Sequence, residues 1–323
     1  VITFRPFRNS DPPQIAEIWR SQPASRGLVQ PMSSAIFERH VLNSLLFDRD
    51  GLIVACDQKR LLGFVHAGFG PMADESRLAT DIGGTLALMV RPTEAKSTLA
   101  DELLLHSERY LQQCGAKVLT AGGVDRLGPF YLGLIGGTAS SALLDSDPRE
   151  QQFFLRHDYR EESRSLVLQC DLGRFRAPVD RRQLQAKRRT QVDVILDPPS
   201  ANWWEANTTS NIDRARFDLV SKENGTRLAS VRMWVMELLG ATWGMRAAGL
   251  LGLEVLLDCN KRQGLAMLLV AEAMRYLQSQ GIKLIEVQVT AANLPARTLF
   301  ERLGFSEVDQ AVRYRKAVAN EAM

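Results

Sequence analysis

The sequence predicts a mixed α/β protein built from two copies of one α+β unit, each a twisted mixed sheet flanked by helices. Three observations predict it. In 253–266, Leu253, Val255, Leu256 and Leu257 read as a buried strand interrupted by Glu254, and Asp258 to Asn260 break the run. From Gly264 apolar residues return at helical spacing, with Leu265, Leu268, Leu269, Ala273, Tyr276 and Leu277 on one face. Second, the order strand, loop, helix, strand, helix occurs twice, over 85–156 and again over 250–303. Third, 323 residues leave room for two domains of about 150 residues each. We place the division after residue 165, giving segments 1–165 and 166–323.

In the first segment, 2–7 reads as a strand rather than a signal peptide. Asp11-Pro12-Pro13 opens a helix over 14–20, and a second helix is expected near 34–47. Strands at 52–56 and 61–69 flank the turn Asp57-Gln58-Lys59-Arg60. Strand 85–90, helix 98–113 and strand 117–121 follow, then a glycine- and aromatic-rich stretch over 130–137. Asp147-Pro148-Arg149-Glu150 has the form of a helix start, with Asp as cap, Pro in the first turn and Glu three residues on. That helix ends at His157-Asp158-Tyr159.

A strand over 165–170 leads into seven basic residues in sixteen, Arg174 to Arg189. These could form a phosphate or nucleic-acid patch. No aromatic residue alternates with the charges, so a solvated linker and helix face is the preferred reading. Trp203-Trp204 could anchor an interface, line a cleft or pack in the core, the last being preferred. Strands 216–220 and 228–234 form a hairpin around Asn224-Gly225. Then come the long strand 249–257, helix 264–280, strand 284–290, helix 294–303 and a last strand at 311–316 containing Tyr314.

Composition excludes several classes. Apolar residues at 45% and charged residues at 24% are ordinary for a globular protein, and a net charge of +3 does not point to nucleic acid. Cys56, Cys114, Cys170 and Cys259 lie far apart, which argues against a zinc site or a disulfide scaffold and fits a cytoplasmic location. No apolar run reaches membrane-spanning length. All four histidines, His40, His66, His106 and His157, fall in the first half. A base in the second half must therefore be a carboxylate, a water, or a group lent by the first half.

Gly264 and Ala266 leave the first amides of their helix uncovered, and such amides favour an anion, a phosphate above all. Lys261 and Arg262 add positive charge beside them. The loop is neither a Walker loop nor a dinucleotide fingerprint, because further glycines or a Gly-Lys-Ser/Thr ending are missing. Beyond the next strand stands Asn293-Leu294-Pro295-Ala296-Arg297-Thr298-Leu299-Phe300-Glu301-Arg302-Leu303-Gly304-Phe305. This order resembles the GNAT superfamily of acyl-CoA-dependent N-acyltransferases, here as two tandem GNAT-like units. The pattern Gln/Arg-x-x-Gly-x-Gly/Ala is matched by Gly264 and Ala266, with Lys261 a mild departure at its first position. The pattern Asn-x-x-Ala-x-x-Leu-Tyr-x-x-x-Gly-Phe is matched by Asn293, Ala296, Leu299, Gly304 and Phe305, with Phe300 in place of the frequent Tyr. In the first segment Val90 and Pro92 fit a Val-x-Pro, but Ala95, Thr98 and Ala100 stand at the loop positions and Asp158 at the closing Gly. That unit is expected to have a weakened cofactor site.

The resemblance implies a splayed central strand on which a pantetheine arm is added like an extra strand. Leu256 and Leu257 would offer backbone groups to the arm and thioester. Lys261, Arg262, Gln263, Gly264, Leu265 and Ala266 would hold the pyrophosphate, with Arg297 and Phe300 completing the coenzyme site. Asn293 would contact pantetheine or assist the leaving sulfur. Acyl transfer to an amine needs partners held together, a deprotonated amine, and a donor for the thioester oxygen. Glu254 is the expected base, the alternative being a carboxylate at a sheet edge or paired with an Arg; Glu286 is the reserve. Tyr314 is a candidate acid, protonation of the leaving thiolate by solvent being the simpler account. The expectation is transfer of acetyl from acetyl-CoA to a primary amine of a small molecule or peptide by the C-terminal unit, in a monomer or homodimer, without membrane or nucleic acid. The alternative is a catalytically weak acyl-CoA-binding regulatory or scaffolding protein.

Overall fold

The computed structural model describes residues 1–92, 97–123, 128, 130–139, 143–178, 181–256 and 264–318, with the backbone alone at Ser97, Arg181 and Arg182. In chain order the elements are β1 (Ile2–Pro6), α1 (Pro12–Arg20), α2 (Ser34–Phe37), β2 (Leu52–Asp57), β3 (Arg60–Pro71), β4 (Leu78–Val90), α3 (Ser97–Gln113), β5 (Val118–Ala121), β6 (Leu143–Leu144) and α4 (Pro148–Arg156). There follow β7 (Arg160–Asp171), α5 (Arg181–Arg189), β8 (Thr190–Leu196), α6 (Trp203–Thr208), β9 (Arg214–Ser221), β10 (Arg227–Val235) and α7 (Glu237–Trp243). The chain closes with β11 (Ala247–Val255), α8 (Leu265–Ser279), β12 (Leu284–Thr290), α9 (Leu294–Arg302) and β13 (Ser306–Ala317).

Two compact units result. Unit 1 comprises Val1–Arg164, Ser200–Asn211 and Ala311–Met323; unit 2 comprises Ser165–Pro199 and Ile212–Gln310. Set beside the expected segments 1–165 and 166–323, the difference lies in two later stretches that return to unit 1. One is α6, where the Trp203 indole N–H donates to the Glu75 carbonyl and Trp204 is buried. The other is the second half of β13.

Unit 1 has the strand order β1-β2-β3-β4-β5-β13 and unit 2 the order β8-β9-β10-β11-β12-β7. In each, the first three pairings are antiparallel, the fourth is parallel and the fifth antiparallel. The sixth strand is exchanged. Tyr314 to Ala317 pair with Ala121 to Val118 in unit 1, while 165–171 pair with β12 in unit 2.

The local chemistry explains most boundaries. Pro12 and Pro13 start α1 where no amide partner is needed. Helix α8 buries nine residues, from Leu265 to Leu277, and each Leu, Met or Val among them contributes about 1.5–3 kcal/mol of transfer free energy. The hairpin turns at Asn224-Gly225 as expected, with Gly225 at φ 70°, but through a longer loop that shifts the register beside Arg227. The helix expected near 34–47 is shorter. After Phe37 the chain widens into a turn in which Asn43 N–H reaches Glu38 O (2.9 Å). Ser44 and Asp48 then hydrogen-bond local amides and compete with helix. Cys56, Cys114 and Cys170 are free thiols; Cys259 lies outside the described residues. Among the described residues no helix is long and apolar enough to cross a membrane.

Candidate functional site

One local geometry occurs in both units. In unit 2, β11 and β12 run parallel in register only over 247–250 and 284–287, and both strands then continue unpaired with each other. On the other side of β11 a bulge skips Leu251, between the pairs Arg232–Gly252 and Met233–Leu250. In unit 1, β4 and β5 are in register only over 82–85 and 118–121, and a bulge skips Leu86 between His66–Ala87 and Ala67–Thr85. A bulge kinks its strand and raises the local twist, which turns β4 and β11 away from their parallel neighbours. The open edges that result can accept an extended ligand.

The main-chain groups on the open edge of β11 follow from one hydrogen bond. The Leu256 N–H donates to Leu228 O (2.9 Å), toward β10. Main-chain groups alternate sides along a strand, so those of Glu254, opposite Ser230, also face β10. The groups pointing the other way belong to Leu253 and Val255. The Leu256 N–H, expected to serve the arm, therefore faces β10, and the main-chain groups of its neighbour Val255 face the open edge. Leu257, Lys261, Arg262 and Gln263 lie outside the described residues.

At the start of α8, Gly264 occupies the N-cap position at φ 85° with no side-chain cap. Its carbonyl accepts from Leu268 N–H (2.9 Å), so the helix winds from there. The early amides of Leu265 and Ala266 have no intrahelical acceptor and make a partial positive charge. Leu265's side chain is buried in the unit 2 core and Ala266 is half-buried.

The other predicted residues are placed as follows. Glu254 is exposed, and among the described residues it has no ion-pair partner. Glu286 is fully buried and accepts from Gln169 Nε2 (2.9 Å), across the β12–β7 pair. Asn293 is exposed at the N-cap of α9, its Oδ1 accepting from Ala296 N–H (3.1 Å). Arg297 is half-buried and donates to Ala291 O (3.3 Å). Phe300 is buried with its ring edge-on to Phe305, centroids 5.1 Å apart. Tyr314 is buried in the unit 1 part of β13, where its hydroxyl donates to Gln151 Oε1 (3.1 Å). Burial, and then the charge of Glu161, raises that phenol's pKa. Two of the histidines are desolvated: burial pushes His66 down to about 3 and His40 to about 4. His66 Nδ1 is 2.8 Å from the Tyr131 hydroxyl in the unit 1 core.

In unit 1 the open edge of β4 borders a cavity of about 360 Å³. Its wall includes Thr85 to Val90 on β4, Gln22, Gly27 and Leu28, Ala100, and Asp147, Arg149 and Glu150 at the start of α4. Sequence reasoning passes over Glu150 as a site residue. A signal is present there, but it reads as a capping box, since Glu stands three residues after Asp147.

The fold defines the class: a tandem GNAT-fold protein, two such units in one chain. More narrowly, residues 236–314 match the FR47-like protein family model, a stretch that holds β11, α8, β12 and α9. A solved tandem GNAT protein from the clavulanic acid biosynthesis pathway superposes with a TM-score of 0.66 at 13% identity, covering 99% of this chain and 100% of its own. A GCN5-related glucosamine N-acetyltransferase region of a fungal multi-domain β-N-acetylglucosaminidase gives 0.72 at 16% identity, covering 98% of this chain and 38% of that one. A GCN5-related N-acetyltransferase from Sphaerobacter thermophilus gives 0.63 at 14% identity, covering 98% and 95%. No curated protein matches the chain in sequence.

Proposed function

We propose that the chain is an acyl-CoA-dependent N-acyltransferase moving an acetyl group from acetyl-CoA to a primary amine, with unit 2 holding the donor. The observation that supports this most is the parting of β11 from β12 directly before an uncapped helix start at Gly264. An extended arm can pair with the main chain of Leu253 and Val255, and a pyrophosphate can take the amides of Leu265 and Ala266. Lys261 and Arg262 add to that site on the strength of the resemblance alone. The donor, when bound, supplies an acyl thioester.

Glu254, open to solvent, takes the proton of the incoming ammonium. A main-chain N–H of the open edge donates a hydrogen bond to the thioester oxygen as it gains negative charge. Solvent protonates the departing thiolate, because Phe300 has no hydroxyl and that of Tyr314 is donated to Gln151. Asn293 already caps α9, so any contact with the donor uses its remaining amide hydrogens. One neighbour of the same fold is named for glucosamine, which makes an amine on a small polar molecule the first acceptor class to try.

Titration calorimetry with acetyl-CoA, paired with thiol release in the presence of amino sugars, polyamines and lysine peptides, tests the proposal. Gly264→Asp should weaken binding at least tenfold, about 1.4 kcal/mol, while Gly264→Asn keeps the backbone strain without the charge and loses less. Absence of heat, or a Gly264→Asp variant that binds like the parent, overturns the proposal. Binding with no thiol release would instead favour a regulatory acyl-CoA-binding protein.

A further inference from the structure

Unit 1 repeats the open strand edge, and there the opening is a formed cavity containing a carboxylate that the helix start leaves uncommitted. In a capping box, Glu150 would reach back to the N–H of Asp147. That N–H goes instead to Leu144 O (2.9 Å), and the Asp147 side chain makes no cap bond. Glu150 has no hydrogen-bond partner among the described residues and lines the cavity beside Phe153 and Phe154. Glu150 stands at the mouth of the cavity, exposed to solvent on one side; crowding by protein on the other, and then the charge of Asp147, push its carboxyl up to about 7.

The strand position of Glu254 is taken in unit 1 by Met89, opposite Phe64 as Glu254 is opposite Ser230. A proton acceptor in this unit must therefore come from another element, and α4 supplies one. Gln22 donates to Val90 O (3.1 Å) and closes that end of the edge, leaving Leu86 and Leu88 along the cavity wall. The titratable groups on the wall all come from the start of α4: Asp147, Arg149 and Glu150. Arg149 lies 3.9 Å from Asp147 and points largely to solvent. The stretches from β4, α3, 22–28, 135–136 and 143–144 contribute none to the wall.

We propose that unit 1 is a second acyl-transfer centre, in which Glu150 accepts the proton of a primary ammonium held in this cavity. The inference rests on the reading of the chain as an acyltransferase and adds a centre and its base; the donor meets that base along Leu86 and Leu88, held more weakly than in unit 2 because Ala95, Thr98 and Ala100 stand at the loop positions. The Glu150 carboxylate removes one N–H proton, and the freed lone pair forms the bond to the carbonyl carbon of an acyl thioester. The C–S bond then breaks, nitrogen loses its second proton to solvent, and the thiolate takes one up. The products are an amide, a thiol and one proton released as Glu150 resets. A mostly apolar cavity of about 360 Å³ suits a compact amine with an apolar body better than a polyamine or a sugar.

The test uses the full chain with acetyl-CoA and a series of alkyl and arylalkyl primary amines. In the Gly264→Asp background, thiol release should persist, and kcat/KM should rise with pH through an inflection near 7, since the base acts only when deprotonated. Adding Glu150→Gln should lower that residual rate about 100-fold and remove the inflection, while Glu150→Asp should keep it at reduced rate. A Glu150→Gln rate within twofold of its parent, with an unchanged pH profile, overturns the second centre and leaves the acyltransferase reading intact. Thiol release abolished by Gly264→Asp alone also overturns it. No thiol release by the unmodified protein with any amine overturns the acyltransferase reading itself.

Discussion

Units 1 and 2 share a backbone plan to the level of single residues and differ in what that plan carries. Both part a parallel pair after four registered residues and bulge the neighbouring ladder at one leucine, Leu86 or Leu251. Both close with a helix carrying a buried Phe against an aromatic five residues on: Phe154 on Tyr159 (5.2 Å) and Phe300 on Phe305 (5.1 Å). The carboxylates have moved. Unit 2 sets Glu254 on the strand, whereas unit 1 sets Glu150 on the helix. Backbone registry is fixed by many hydrogen bonds and by burial, while a side chain facing an opening can change at little cost to either. The frame persists where the chemistry diverges.

The paired aromatics offer the largest test of that equivalence. Phe154→Ala and Phe300→Ala should each destabilise by about 3–5 kcal/mol in denaturant unfolding, because each removes a buried ring from its unit's core. A cost below about 1 kcal/mol at either position would show that the two rings are not equivalent supports. The caps should separate the units. Asn293 bonds the Ala296 amide, so Asn293→Ala should cost about 1 kcal/mol, while Asp147, with no cap bond, should cost under about 0.5 on changing to Ala. Equal losses would mean that Asp147 caps α4 in solution, and Glu150 would then be an ordinary helix-start residue.

The smallest effect concerns the residue after each closing helix. Asp158 sits at φ 65° and Gly304 at φ 85°, the left-handed region that glycine enters freely. Strain of about 1 kcal/mol at Asp158 is partly offset by the greater unfolded-state freedom that glycine would bring. Asp158→Gly should therefore raise stability by about 0.5 kcal/mol or less, and Gly304→Asp should lower it by a similar amount. Denaturation midpoints would read both. A change of the reverse sign at either position would place the two turns in different conformations.

Much of this plan is legible in the sequence because burial and periodicity are local signals. Strand 284–290 is legible to the residue, and helices α3, α8 and α9 to within one or two. The equivalence of Asp158 and Gly304 is visible from spacing and is borne out by their φ angles. What stays hidden depends on distant partners. Helix α7 gives little local sign because Gly240 breaks its apolar run, and that glycine is required where a Cβ would lie 2.6 Å from Met245 O. Strand β8 hides directly behind the basic run that ends at Arg189, and as an edge strand it buries little, with Val192 and Ile195 only half-buried. Glu150 reads as a cap because its sequence neighbours satisfy that pattern; only the Leu144 carbonyl, brought in by β6, shows otherwise. Leu256 follows from its position in the strand alone, whereas the side its amide faces depends on pairing with β10.

The exchange of the sixth strands has a consequence for how the chain comes to be folded. Unit 1 takes its closing strand from 311–317, which is synthesised only after all of unit 2. Until then Val118 to Ala121 of β5 lack their antiparallel neighbour on one side. An emerging N-terminal half must therefore wait with a raw sheet border, and a gene fragment ending near residue 165 would leave that border permanently unfinished and prone to self-association.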